Sequence, residues 1–396
     1  MLRRLEVHGF KAFGEGAGGS VVLDAAPLTL LAGPNGAGKS TLLQSLDVLG
    51  MLVRGTISEL LDAHGWVYKD LPHLLSDKQT FGFVVDVELG KRTLRWSLML
   101  GTRRRPGIAR EVVDVIGEKT PPLLDRAFRK ISVYVESTGE TVSHPPLTLT
   151  QSWLSTLDPK EDRGAHPGLL ALREWAERIF PFWSLDPALL RAPSSGVASR
   201  VGPRGGNLAS FLASLKRRNR DAFDAFVARV AAYYPRLQGI DIKSDASGKK
   251  TVSIQEAWDG APVGFNANQV SDGLLRLLAV ASIPDWEHTP SVVLLDEIEN
   301  GLHPRLIGGI AELLSEISKT TQVIATTHSP ITLNYVPAEC TRLVTRGKGG
   351  AVTITNLKDT NGFAELREHF EPGELWYNVG EDRLVGLPSK GKKGRS

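Results

Sequence analysis

A single cysteine, Cys340, occurs in 396 residues. One thiol excludes an internal disulfide and a cysteine-cluster metal site, and it suits a reducing interior, so the cytoplasm is the expected compartment. Long apolar runs are also missing. No stretch approaches the roughly eighteen uninterrupted apolar residues of a membrane span, so no membrane association is expected. Met1-Leu2-Arg3-Arg4 leads straight into an alternating run, not into a signal peptide. Excess charge of one sign is scarce: 47 Lys and Arg against 44 Asp and Glu leave a formal net charge of +3, too little to demand nucleic acid. Two local basic clusters, Arg103-Arg104-Arg105 and Lys216-Arg217-Arg218 with Arg220, read first as solvated faces and loops. What is present is an apolar content of 41%, which excludes a disordered chain and suffices for the core of two or three domains.

Hydrophobic periodicity divides the chain. LEVHGF and GSVVLDAAPLTLLAG read as strands, the second delivering the chain into a glycine loop and then the helix KSTLLQSLDVLG. From Thr80 to about Glu136 the period is two: FGFVVDVEL, a Gly90-Lys91 turn, RTLRWSLML, then EVVDVIG and ISVYVES. This predicts an antiparallel lobe. Residues 168–236 turn to helical spacing in LLALREWAERIF and NLASFLASLKRRNRDAFDAFVARVAAYY. Strands return in SVVLLDE and TQVIATTH, followed by a hairpin of TRLVT and AVTIT around Gly347 to Gly350. The expected organisation is an α/β nucleotide core split in sequence. Residues 1–150 carry its first part with the antiparallel lobe, 151–265 a helical lobe, 266–384 its second part, and 385–396 a disordered basic tail.

The chemistry concentrates in Gly33-Pro34-Asn35-Gly36-Ala37-Gly38-Lys39-Ser40, which has P-loop spacing between a predicted strand and a predicted helix. Glycines allow successive N–H groups to face one concavity, and the helix N-terminus adds favourable partial charge, so phosphates are the expected ligand. Gly33, Asn35, Gly36, Gly38 and Thr41 complete the cradle; Lys39 reaches the terminal phosphates and the Ser40 hydroxyl ligates Mg2+. In SVVLLDEIENGLHP a buried strand ends in two acids. Asp296 is expected in the magnesium shell, and Glu297 as the general base toward an attacking water. QVIATTHSP ends a further strand in His328, a candidate for the terminal phosphate. Val270-Ser271-Asp272-Gly273-Leu274 opens an apolar helix, which by itself is an N-capped core helix closed by Pro284.

The order of these pieces changes that last reading. P-loop, antiparallel lobe, helical lobe, Ser-x-Gly helix, carboxylate strand, ENGLHP turn and a strand ending in histidine together resemble the ABC-type ATPase fold. VSDGL stands where that family carries its signature, which implies that Ser271 and Gly273 complete the nucleotide site of a second subunit. GFKAF at 9–13 and the ENGLHP turn at 299–304 resemble the soluble SMC, RecF and OLD-like branch, and the closing hairpin resembles bacterial ATPases found beside defence effectors. The resemblance implies ATP and Mg2+ as cofactors and a homodimer across two ATP molecules. It further implies Arg54 as a nucleotide contact, against a plain helix-end arginine, and a magnesium-contacting glutamine, Gln151 or else Gln79. Sustained heptads and an acidic nuclease domain are missing, so a separately encoded effector is the expected partner. A RecF-like DNA-repair ATPase, with DNA as its cargo, and a non-enzymatic nucleotide sensor are the alternatives.

Overall fold

The computed structural model of the chain describes all residues except 15–18, 76–79, 102–106, 128–129, 146–149, 184, 348–349, 361–362, 381–383 and 386–396. Gln79, the Arg103 to Arg105 cluster and most of the basic tail lie outside the described residues, as do two positions of the closing hairpin's turn.

A central six-stranded sheet runs in the order Ile179–Phe182, Val292–Leu295, Gln322–Thr327, Leu28–Ala32, Thr341–Arg346, Val352–Asn356. The first five strands are parallel and the last is antiparallel. The five parallel strands are almost wholly buried because both faces are covered, whereas Val352–Asn356 is buried only at Val352. Leu31, Ile324, Leu294 and Val344 pack into one core with the P-loop helix Lys39–Arg54 and the antiparallel sheet. Leu30, Ala325, Val293 and Leu343 pack into a second core with the later helices. Successive residues of a strand thus serve opposite cores, the expected consequence of a two-residue repeat.

The antiparallel sheet has eight strands in the order Val21–Asp24, Leu2–His8, Phe81–Leu89, Arg92–Leu100, Ile108–Val115, Leu124–Ala127, Lys130–Val135, Glu140–His144. The opening strand therefore belongs to this sheet. GSVVLDAAPLTLLAG is not one strand: it breaks at Ala25 to Pro27, its first half pairing here and its second in the central sheet. The buried side chain of Gln322 joins the two sheets, accepting from Leu2 N at 2.8 Å and donating to Leu2 O and Ala26 O at 2.9 Å each.

The segment expected to be helical differs in two places. LLALREWAERIF is helical only over Pro167–Glu177; its last residues become the central-sheet strand Ile179–Phe182, paired in parallel with Val292–Leu295. Residues 237–266 form a three-stranded antiparallel sheet, Leu237–Ser244, Lys250–Trp258 and Ala261–Asn266, packed by Val252 and Ile254 against the helices Leu208–Arg218 and Arg220–Tyr233. The Asp259-Gly260 turn between two of these strands has φ of 48° and 84°, the left-handed pair of a tight hairpin. No helix among the described residues is long and apolar enough to cross a membrane.

Candidate functional site

The strand Leu28–Ala32 is buried throughout and ends at Gly33, where the chain turns into the loop that opens the helix Lys39–Arg54. Two glycines there are required by space. A Cβ on Gly33 would meet Val344 O at 2.2 Å, and one on Gly38, the helix N-cap at φ 107°, would meet Phe13 Cε1 at 2.7 Å. Phe13 belongs to GFKAF, so that segment packs directly under the loop. Gly36 sits exposed at φ 77°, and Thr41 is half-buried on the first helical turn.

Lys39 is buried, with Nζ donating to Gly33 O at 2.7 Å and Pro34 O at 3.0 Å. His328 Nδ1 lies 3.2 Å from the same nitrogen. An ammonium has only donors, so Nδ1 is the acceptor and the imidazole proton sits on Nε2. Nε2 faces Glu297 Oε1 at 3.7 Å. Lys39, His328 and Glu297 are therefore neighbours, although they come from a helix and two strand ends far apart in sequence.

Ser40 Oγ donates to Asp296 Oδ1 at 3.0 Å, and Thr326 Oγ1 donates to the same oxygen at 2.6 Å. Thr326 Oγ1 also accepts from Glu297 N at 2.8 Å. Sequence patterning did not single out Thr326; only its place on the central strand beside Val292–Leu295 sets it under both acids. Glu297 has φ 50°, a left-handed conformation costly for a side-chain-bearing residue, and the Thr326 bond helps to hold it. Asn300 Nδ2 approaches Glu297 Oε2 at 3.5 Å.

Glu297, Asn300 and His328 line an open cleft of about 480 Å³, together with Gly33, Pro34, Asn35 and Trp376. Its size falls within the range of about 300–1,000 Å³ usual for small-molecule sites. Glu299, also in the lining, accepts from His328 N through Oε1, while its buried Oε2 has no hydrogen-bond partner among the described residues. A hydroxyl and a carboxylate in contact, beside an open cleft, are the oxygen donors that Mg2+ takes from protein when phosphates supply the rest of its shell. The residues present fit that ion.

Four expected site residues lie elsewhere. Ser271 caps the helix Asp272–Ala281, its side chain accepting from Leu274 N at 3.3 Å. A Cβ on Gly273 would meet Leu302 Cδ2 at 3.3 Å, so the small residue seats this helix start against the ENGLHP turn. Neither Ser271 nor Gly273 lines the cleft beside the P-loop. Arg54, fifteen residues past Lys39, lies about 22 Å along the helix axis from the cradle. Its guanidinium donates to Glu177 O at 2.8 Å and Ile179 O at 3.1 Å. Gln151 lies near that helix end as well. Its carbonyl accepts from Arg126 at 2.9 Å, and its neighbour Ser152 donates its N–H to Leu52 O at 2.8 Å, near the same remote helix end. The buried Glu111, whose carboxyl burial pushes upward, anchors this segment through Trp153 N at 2.8 Å.

The chain instead reaches the P-loop edge of the sheet at Phe182, whose carbonyl accepts from Asp296 N at 3.3 Å. Lys11 lies inside GFKAF but is not singled out by the sequence as a site residue. Its Nζ lies 2.8 Å from Gln44 Oε1 and 3.2 Å from the centre of the Trp66 ring, and burial lowers its pKa to about 8.

Residues 28–334 match the family described as "AAA domain, putative AbiEii toxin, Type IV TA system", and residues 4–49 match a second AAA-domain family. No curated protein matches the chain. Among solved structures it is similar to an SMC head bound to the C-winged helix domain of ScpA, with 14% identity, TM-score 0.54, and 89% of this chain and 96% of that chain covered. It is also similar to an Smc head with an extended coiled coil, bound to the C-terminal domain of ScpA derived from Pyrococcus furiosus. There the identity is 14% and the TM-score 0.53, with 93% of this chain and 98% of that chain covered. At such identity the likeness is one of fold, and it agrees with the two-sheet head and split core described above. The chain belongs to the AAA-domain family that bears the putative AbiEii toxin description, and its fold is like that of SMC heads.

Proposed function

We propose that this protein is a magnesium-dependent ATPase that closes as a two-fold dimer over two ATP molecules and thereby switches a separately encoded effector in bacterial anti-phage defence. The observation that carries the hydrolytic part is the bond between Ser40 Oγ and Asp296 Oδ1, beside a lysine whose ammonium is already positioned at the P-loop. On ATP binding, Lys39 exchanges the carbonyls of Gly33 and Pro34 for phosphate oxygens, and the N–H groups around Gly36 and Gly38 take the remaining charge. Ser40 and Asp296 would hold Mg2+, which when bound would neutralise charge on the phosphates. Glu297 accepts the proton of the attacking water, and His328, freed from Lys39, hydrogen-bonds the terminal phosphate.

The dimer follows from the helix that starts at Ser271. Its first-turn N–H groups form an anion-attracting end, which suits a role opposite a second subunit's phosphates. A separate partner is supported by the similar heads, each of which is bound to a domain of another protein, ScpA. The toxin–antitoxin wording of the family description supports the defence setting.

Glu297→Gln is the test. The amide keeps shape but not basicity, so turnover falls by about 100-fold or more while ATP affinity stays within a few-fold of wild type. Steady-state phosphate release and equilibrium nucleotide binding measure the two. Undiminished turnover in this variant removes Glu297 as the base.

A further inference from the structure

The strand Ile179–Phe182 lies at an edge of the central sheet. A cavity of about 280 Å³ opens there, between the far half of the P-loop helix and residues 200–204. Asp47, the lining residue nearest the cradle in sequence, is eight positions past Lys39, so the cavity starts about 12 Å along the helix axis from it. It shares no lining residue with the cleft at the P-loop.

Its charge is one-sided. Arg54, Arg200 and Arg204 line it, and Asp47 is the carboxylate among its lining residues. Asp47 is buried and already engaged, with Oδ2 2.8 Å from His64 Nε2 and Oδ1 3.8 Å from Arg54. Arg204 pairs with Asp186 at 2.8 Å and stays largely exposed. Arg200 makes no ion pair with a described residue; its guanidinium stands 4.9 Å over the Phe180 ring. Burial holds the pKa of both Arg54 and Arg200 down, and for Arg54 the like charge of Arg200 adds to the effect. The other walls are apolar. Met51 and Trp183 face the same space, and the Trp183 ring is fixed edge-on to His64 at 5.6 Å. A site with surplus guanidinium at its mouth and an indole in its wall asks for an anion that also carries a flat apolar part.

We propose that this cavity binds a small phosphate ester bearing an aromatic ring, of the size of a nucleoside monophosphate. The phosphate sits on Arg200 and Arg204, and the ring lies against Trp183 and Met51. Arg200, which has no carboxylate to give up, supplies a bidentate phosphate contact without breaking an existing ion pair. This site goes beyond the ATPase reading and does not depend on hydrolysis.

Calorimetric titration of AMP into full-length Lys39→Ala protein, in which the P-loop competes poorly, tests the proposal. One saturable site is expected. Adding Arg200→Ala and Arg204→Ala weakens AMP binding by about tenfold or more, since each lost charged hydrogen-bonding partner costs on the order of tenfold. Inorganic phosphate binds the same parent protein about tenfold more weakly than AMP, lacking the ring contact. If the double substitution unfolds the protein, Arg200→Gln alone is read, since Arg200 has no ion pair to lose. Absence of saturable AMP binding, or AMP binding indifferent to the loss of Arg200, overturns the site. AMP binding no tighter than inorganic phosphate overturns the aromatic ligand class.

Discussion

Ser40 Oγ stands 3.0 Å from Asp296 Oδ1, so the first turn of the P-loop helix and the end of a strand 256 residues later share one hydrogen bond. The contact exists because Leu28–Ala32 and Val292–Leu295 run parallel on either side of Gln322–Thr327. Parallel strands open their C-terminal ends at one edge of a sheet, and that edge is where such folds bind ligands. The strand between them contributes Thr326, which donates to Asp296 and accepts from Glu297.

Thr326→Val keeps the shape of that buried side chain and deletes both bonds. Turnover is expected to fall by about 10–100-fold, the usual cost of losing a residue that orients a metal ligand, with a higher Mg2+ requirement. Phosphate release measured across a magnesium titration checks this. A variant with wild-type turnover at every Mg2+ concentration contradicts the orienting role.

Arg54→Ala tests where the helix-end arginine acts. Loss of its bonds to the carbonyls of Glu177 and Ile179 is expected to lower stability by roughly 1–3 kcal/mol, while ATP affinity stays within about twofold. Gln151→Ala is expected to leave the Mg2+ requirement unchanged. Denaturant melts and nucleotide titrations separate these effects, and a tenfold loss of ATP affinity with unchanged stability would restore Arg54 to the nucleotide site.

Mixing Lys39→Ala with Ser271→Arg tests the shared site. Each variant is expected to be inactive alone, the first lacking its phosphate lysine and the second blocking the helix start with bulk. In a mixed dimer one site is whole and the other doubly broken. Equal amounts give about half mixed dimers, so roughly a quarter of wild-type sites return under two-fold symmetry. ATP-dependent dimerisation is followed beside turnover, because coupling between sites mutes turnover alone. Normal hydrolysis by Ser271→Arg alone, with no recovery on mixing, reduces the Ser271 cap to a core helix start.

The P-loop was legible in the sequence because it is local. Its glycines, lysine and serine are contiguous, and the strand before it and helix after it each show their own periodicity. The acids were legible for a similar reason: an apolar run with no polar residue until Asp296 has one exposed end. The hairpin over 250–266 was also within reach, since Asp259-Gly260 between two alternating runs is a strong turn signal. Other features depended on partners far away in sequence. Ile179–Phe182 is four apolar residues appended to an amphipathic helix, and only pairing with Val292–Leu295 makes it a strand. That pairing brings the chain to the P-loop edge of the sheet at Phe182 and leaves Gln151 behind at the remote end of the P-loop helix. Residue spacing put Arg54 far along the P-loop helix but did not say what it would touch. A straight helix of 16 residues carries its last side chain about 22 Å from its first, and tertiary structure alone decided which carbonyls it would meet there.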